Sequence, residues 1–168
     1  MIVPTFVLGV DPGLGGALCF YEVSTRHIEV FDMPVTDGRV DPGRLASIVG
    51  QCLIQGGRGV HAAVELVSSM PRQAGAFNFG VSAGVVHGVL GAMGVPMSLV
   101  SPVQWKGATG LHRVTGESQA DVKSRARALA AKLWPTQADL FKRVKDDGRA
   151  ESALIARFFA DKQGRVSR

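Results

Sequence analysis

The stretch Phe6-Val7-Leu8-Gly9-Val10-Asp11-Pro12-Gly13-Leu14-Gly15-Gly16 decides how this chain folds. Residues 6–10 form an apolar run rich in β-formers, the mark of a buried strand. The run ends on a carboxylate, Asp11, and Pro12 and Gly13 then break it. Gly15 and Gly16 follow, and a second apolar run starts at Ala17. The stretch therefore reads as a hairpin leaving a central strand, with one acid at its tip. A carboxylate among glycines leaves the backbone open to close approach by a phosphate or a metal. Holding turn amides is the plainer task such an Asp performs.

Working outward, residues 17–23 and 27–33 continue the strand pattern and give an antiparallel meander. In the third strand Ile28, Val30 and Asp32 share one face, and Glu29, Phe31 and Met33 the other. Residues 34–43 read as a loop. Asp41 is a good N-cap with Pro42 behind it, so a helix runs from 41 to about 55 and ends at Gly56-Gly57. Residues 60–67 make a fourth strand, apolar except for His61 and Glu65. A polar loop spans 68–75. A helix spans 76–93 in spite of Gly80, Gly84, Gly88 and Gly91, whose spacing makes a smooth face for a sheet or a second subunit. Residues 97–100 are a fifth strand, and Ser101-Pro102 opens a short helix with Trp105 and Lys106. Ser118, with Asp121 three residues on, begins a further helix, which Pro135 stops. The last helix covers 148–162, and the tail from about 163 is polar. The order is β-β-β-α-β-α-β-α-α. It predicts an α/β fold: one domain over 1–168, built on a five-stranded mixed sheet with helices on both faces.

Composition narrows the class. With 46% hydrophobic and 20% charged residues, this is a globular chain. It shows no apolar membrane span and no basic-then-apolar leader. Cys19 and Cys52 both lie in apolar runs, as buried thiols of a reducing compartment do. The expected location is a reducing compartment such as a cytoplasm, and not the secreted fraction.

The acids fall into a pattern. Asp11 ends the first strand, Glu65 lies near the end of the fourth, and Asp146, Asp147 and Glu151 open the last helix. If strands one and four are neighbours and the last helix crosses their ends, carboxylates from three distant segments converge. A Glu in a buried strand is costly unless something neutralises it. Hard divalent cations do so, and two of them can drive phosphodiester hydrolysis. Glu151 follows Asp147 by four residues and shares its helix face. Asp146 fits only if the helix begins after it, and its plain role is to favour a helix N-terminus. Both Asp146 and Asp147 remain candidate ligands at this point.

Taken together, the blocks resemble the RuvC-type Holliday junction resolvases. Leu8-Gly9-Val10-Asp11-Pro12-Gly13-Leu14 resembles their first motif, Val64-Glu65 their second acid, and residues 145–156 their acidic C-terminal helix. Trp105-Lys106 and residues 144–151 are most similar to the chloroplast (MOC1-like) and phage members. The resemblance covers about 6–158. It implies an RNase H-like nuclease domain, a homodimer, and Mg²⁺- or Mn²⁺-dependent nicking of four-way DNA junctions, with two ions per active site. The implied metal ligands and catalytic residues are Asp11, Glu65, Asp146 or Asp147, and Glu151. The chain departs from the family at one place. The close relatives have their acid at the position of Asp146 and a His at that of Asp147, while the bacterial spacing would fall on Gly148.

The cations are distributed to match. Residues 106–145 hold nine of the nineteen Lys and Arg, against Glu117, Asp121 and Asp139. Such a segment beside an acidic pocket suits a polyanion. Lys106, Arg113, Lys123, Arg125, Arg127, Lys142 and Arg143 are candidate DNA contacts, and Lys145 is a candidate catalytic cation. Each one alone is also an ordinary solvated side chain. Phe77 and Phe79 could wedge into an unstacked junction or simply fill core; Trp105 and Trp134 read as core. Three competing functions use the same residues. A sugar kinase or ATPase needs a second nucleotide-holding domain, for which 168 residues leave no room. The others are a DNA-binding module without catalysis and a nuclease of other branched DNA or RNA–DNA hybrids.

Overall fold

The computed structural model describes residues 4–66 and 76–166. Val67 and the loop expected at 68–75 lie outside the described residues. Five strands form the main sheet: β1 (Phe6–Asp11), β2 (Ala17–Glu22), β3 (Ile28–Asp32), then β6 (Val60–Glu65) and β7 (Met97–Val100). Their spatial order is β3-β2-β1-β6-β7. The first three are antiparallel neighbours, whereas β6 runs parallel to β1 and β7 parallel to β6. The mixed five-stranded sheet expected from the sequence is thus observed, with β1 at its centre. In the parallel pair Val10 lies opposite Val64, so Asp11 and Glu65 leave adjacent strand ends together.

Alternation along β1 sorts its side chains. Leu8 and Val10 join the cluster that holds Leu45, Val49, Val86 and Leu90. These come from α1 (Pro42–Gly56) and α2 (Ala76–Ala92). Val7 faces the other way, toward Leu154, Ile155 and Phe159 of α5 (Asp147–Val166). Period two then puts Gly9 and Asp11 on the α5 face. Likewise Ala62 and Val64 face α1 and α2 while Ala63 faces α5, and Glu65 follows Ala63.

Helix α5 lies hard against β1 because Gly9 has no side chain. A Cβ there would come within 2.2 Å of the Ser152 carbonyl oxygen. Gly148 allows the same approach at the other contact, where a Cβ would stand 2.4 Å from the Gly15 oxygen. Backbone contact at both places fixes the start of α5 over the turn that carries Asp11.

Caps follow their sequence signals. The Asp41 carboxylate accepts from Gly43 N and Arg44 N, both at 3.0 Å, and Gly57 ends α1 at φ 55°. Ser118 and Asp121 form a full capping box on α4 (Gln119–Leu133). The short α3 (Pro102–Ala108) starts after Ser101.

Three details depart from the sequence reading. Residues expected as loop contain a small hairpin, β4 (Val35–Thr36) with β5 (Arg39–Val40). Its turn residues Asp37 and Gly38 sit at φ 51° and 70°, the left-handed pair that two-residue hairpins favour. Helix α5 runs on to Val166 through residues expected as frayed tail. Finally, the glycine face of α2 does not rest on its own sheet. Gly80, Gly84, Gly88 and Gly91 are exposed, and added Cβ atoms there would meet open space. No helix among the described residues is long and apolar enough to cross a membrane.

Candidate active site

At the strand ends, a cleft of about 600 Å³ is lined by Asp11, Glu65, Asp147 and Glu151, with Lys106, Lys123 and Lys145 around them. Asp11 sits in the glycine turn, and its Oδ1 accepts from Gly13 N at 3.2 Å. Burial pushes its carboxyl up to about 7, and neighbouring Glu151 and Glu65 add to this. Gly13 N–H and Lys123 offset only part of that rise. Glu65 is shifted upward as well, first by burial. The Trp105 indole opposes that shift, donating from Nε1 to Glu65 Oε1 at 2.8 Å.

Glu151 and Asp147 share a face of α5, as their spacing predicts, and each meets a lysine. Lys106 Nζ stands 3.3 Å from Glu151 Oε1 and 5.0 Å from the centre of the Trp105 ring. Lys123, one helical turn after Gln119 on α4, forms an ion pair with Asp147. That bond holds the Lys123 ammonium above its ordinary pKa.

Asp146 is placed elsewhere. It is 1% exposed and does not line the cleft. Its carboxylate accepts from the Arg143 backbone N at 2.8 Å and from the same residue's Nε and Nη2 at 3.0 and 2.8 Å. Arg149 adds a further contact at 3.8 Å while forming a two-bond fork to Asp32 at 2.5 and 2.6 Å. Burial alone would raise Asp146; the Arg143 bonds outweigh it and hold the carboxyl below the usual range.

The other cations divide in the same way. Arg125 spends its guanidinium on its own chain, with bonds to both Glu117 oxygens at 2.7 and 2.8 Å and to the Gly110 and His112 carbonyls at 2.9 and 3.0 Å. It thereby ties down the loop before α4. Arg127 donates to the Val144 carbonyl at 3.2 Å, and Lys142 pairs with Asp139 at 2.6 Å. Arg113 lines the cleft, although its Nε is bonded to the Glu117 carbonyl at 2.6 Å. Phe79 lines the cleft beside Gly13, whereas Phe77 is 82% exposed. Sequence reasoning took Trp105 as core. It is core, and it also holds an acid. No local pattern signals that bond, which spans forty residues of chain.

Among the described residues, no three His, Cys, Asp or Glu side chains are drawn together at metal-holding spacing. The donor chemistry still fits a hard divalent cation. Among the described residues, the cleft offers carboxylate oxygens and no sulfur or imidazole donor. Burial first, and Glu151 and Glu65 after it, raise the Asp11 pKa, a load that a bound cation would relieve.

No protein-family model and no curated protein sequence matches the chain. Solved structures do. Thermus thermophilus RuvC, in complex with a Holliday junction substrate, superposes with TM-score 0.60 and 22% identity over 94% of this chain and 96% of that one. RuvC of the same organism in a second structure gives TM-score 0.57 and 21% identity over the same shares. The yeast mitochondrial Holliday junction resolvase Ydc2 gives TM-score 0.53 and 19% identity over 99% of this chain and 82% of that one. These likenesses show that the chain has the RuvC-like RNase H fold.

Proposed function

We propose that this chain is a metal-dependent endonuclease that resolves four-way DNA junctions by paired nicks, working as a homodimer. The observation that carries the reading is the cleft, which carboxylates from β1, β6 and α5 line together with three lysines. Similarity to resolvase structures supports the choice of substrate. Trp105-Lys106 and the sequence around Glu151 support a place beside the chloroplast and phage types.

In this reading Asp11, Glu65, Asp147 and Glu151 hold two Mg²⁺ or Mn²⁺ ions. Asp147 is preferred to Asp146, whose oxygens are taken by Arg143. Ions held by these residues would supply an activated water and positive charge at the leaving oxygen. The residues themselves do the rest. Gly13 N–H fixes the Asp11 carboxylate in the turn. Lys106, Lys123 and Lys145 bring fixed positive charge to the scissile phosphate, where negative charge builds in the transition state. Arg113 and Phe79 line the same cleft and would meet the strand beside it. The products carry 5′ phosphate and 3′ hydroxyl ends that ligase can seal.

Two opposed nicks need two sites. The open glycine face of α2 suits close approach of a second copy, and Val81 on the same helix is 41% exposed. Cys19 and Cys52 are free and buried, and burial pushes both thiols upward, which fits a reducing compartment that contains DNA. The deciding experiment is a cleavage panel of junction, duplex, RNA–DNA hybrid and single strand, in Mg²⁺ and in chelator. Junction cut symmetrically in Mg²⁺ alone is expected. Equal cutting in chelator would remove the metal reading, and preference for the hybrid would move the chain to another nuclease class.

A further inference from the structure

Trp105 is fully buried and its indole N–H is given to an acid of the cleft. A tryptophan present only to fill space needs some partner for that N–H, and a backbone carbonyl serves. Trp134 does this, donating to the Arg26 oxygen at 2.8 Å. Trp105 instead donates to Glu65, itself 9% exposed. The geometry behind the bond is stiff. Glu65 lies opposite Val100 in the β6–β7 pair, Leu66 N donates to the Val100 carbonyl at 2.8 Å, and α3 starts two residues after Val100. The next residue, Lys106, reaches Glu151 from the same short helix.

We infer that Trp105 is a positioning residue for Glu65: its N–H engages Oε1 and leaves the other carboxylate oxygen to serve the cleft. The inference rests on the reading of the cleft as a divalent-cation site. A hydrogen bond from outside the ligand set orients a ligating carboxylate, and losing such a bond weakens metal binding.

The test replaces the indole N–H by sulfur, using site-specific benzothienylalanine at 105, which keeps the outline of the ring. Trp105→Phe is made alongside. Mn²⁺ binding to the full chain without DNA is measured by calorimetry, and junction cleavage is followed over a Mg²⁺ titration. The expected result is Mn²⁺ binding weakened about tenfold. The cleavage midpoint should move to higher Mg²⁺ by a similar factor, and the rate should recover at saturating Mg²⁺. Thermal melting of the sulfur variant should stay cooperative and fall by only a few degrees, since one buried acceptor loses its donor. A merely structural Trp105 predicts that fall with an unmoved metal midpoint, and that result would overturn the inference while the nuclease reading stands. A parent protein that neither binds Mn²⁺ nor cuts would overturn both. If Trp105→Phe fails to fold, the sulfur variant alone decides.

Discussion

Two groups of acids lie around the start of α5, one gathered by arginines and one lining the cleft, and they are treated in opposite ways. Asp146 and Asp32 are matched by guanidinium groups, with forks from Arg143 and Arg149 filling their oxygens. Glu151 and Asp147 pair with lysines, while Asp11 and Glu65 form no ion pair among the described residues. The pKa directions separate accordingly: Asp146 and Asp32 are pulled down, Asp11 and Glu65 pushed up. An arginine fork is rigid and saturates a carboxylate, whereas an ammonium is a point charge on a flexible stem. The first group is closed to any further cation; the second stays open to one.

Breaking the open group should have the largest effect. Asp11→Asn or Asp147→Asn should lower junction cleavage by roughly a thousandfold or more, the scale of losing one transition-state-stabilising group, with junction binding retained in gel-shift assays. Asp146→Asn should leave the cleavage rate per folded molecule near that of the parent. If Asp146→Asn alone abolished cutting, the division between the groups would be wrong.

The next effect is on stability against pH, in metal-free protein. The Asp11 pKa is raised from 3.8 to about 7. Its contribution is therefore full below pH 4 and is lost as pH rises through 7, by up to about 4 kcal/mol. Asp146 and Asp32 have lowered values, so their contribution is present above pH 4 and lost as pH falls further. Urea unfolding at pH 5 and pH 7.5 should show the higher pH less stable, and Asp11→Asn should flatten most of that difference.

A smaller effect is expected within the closed group. Asp146→Asn should cost about 1–3 kcal/mol in the same unfolding experiment, since it replaces buried charge-assisted bonds by weaker ones. The smallest concerns binding. Lys145 lines the cleft without an ion pair among the described residues, so Lys145→Gln should lower the salt slope of junction affinity by about one. Arg125 is already spent on Glu117, so Arg125→Gln should leave the slope alone.

Much of this was legible in the chain itself. The run from Phe6 to Asp11 and its glycine turn placed the first acid, the cost of an acid near the end of an apolar strand marked Glu65, and helix spacing joined Glu151 to Asp147. What spacing could not do was assign Asp146. That depended on Arg143 and Arg149, three residues to either side, a flanking signal in which the sequence reading takes Arg143 as a DNA contact and gives Arg149 no role. Asp37-Gly38 was an equally local sign of the β4–β5 hairpin. The roles of Lys123 and Trp105 were illegible for a different reason. Each faces its acid because separate helices and strands pack together, and no window of sequence contains both partners. Arg125 read as a DNA contact by charge alone; only the fold shows Glu117 and two carbonyls waiting for it.

The bare side of α2 has a consequence in time. Four glycines on one face weaken a helix by about 1 kcal/mol each relative to alanine, and among the described residues no packing offsets that cost. The backbone amides of α2 should therefore exchange with deuterium sooner than those of α5, which is packed along β1 and β2. Covering the glycine face with a second copy would slow that exchange in a concentration-dependent way, so the deuterium uptake of this one helix would act as a clock for assembly.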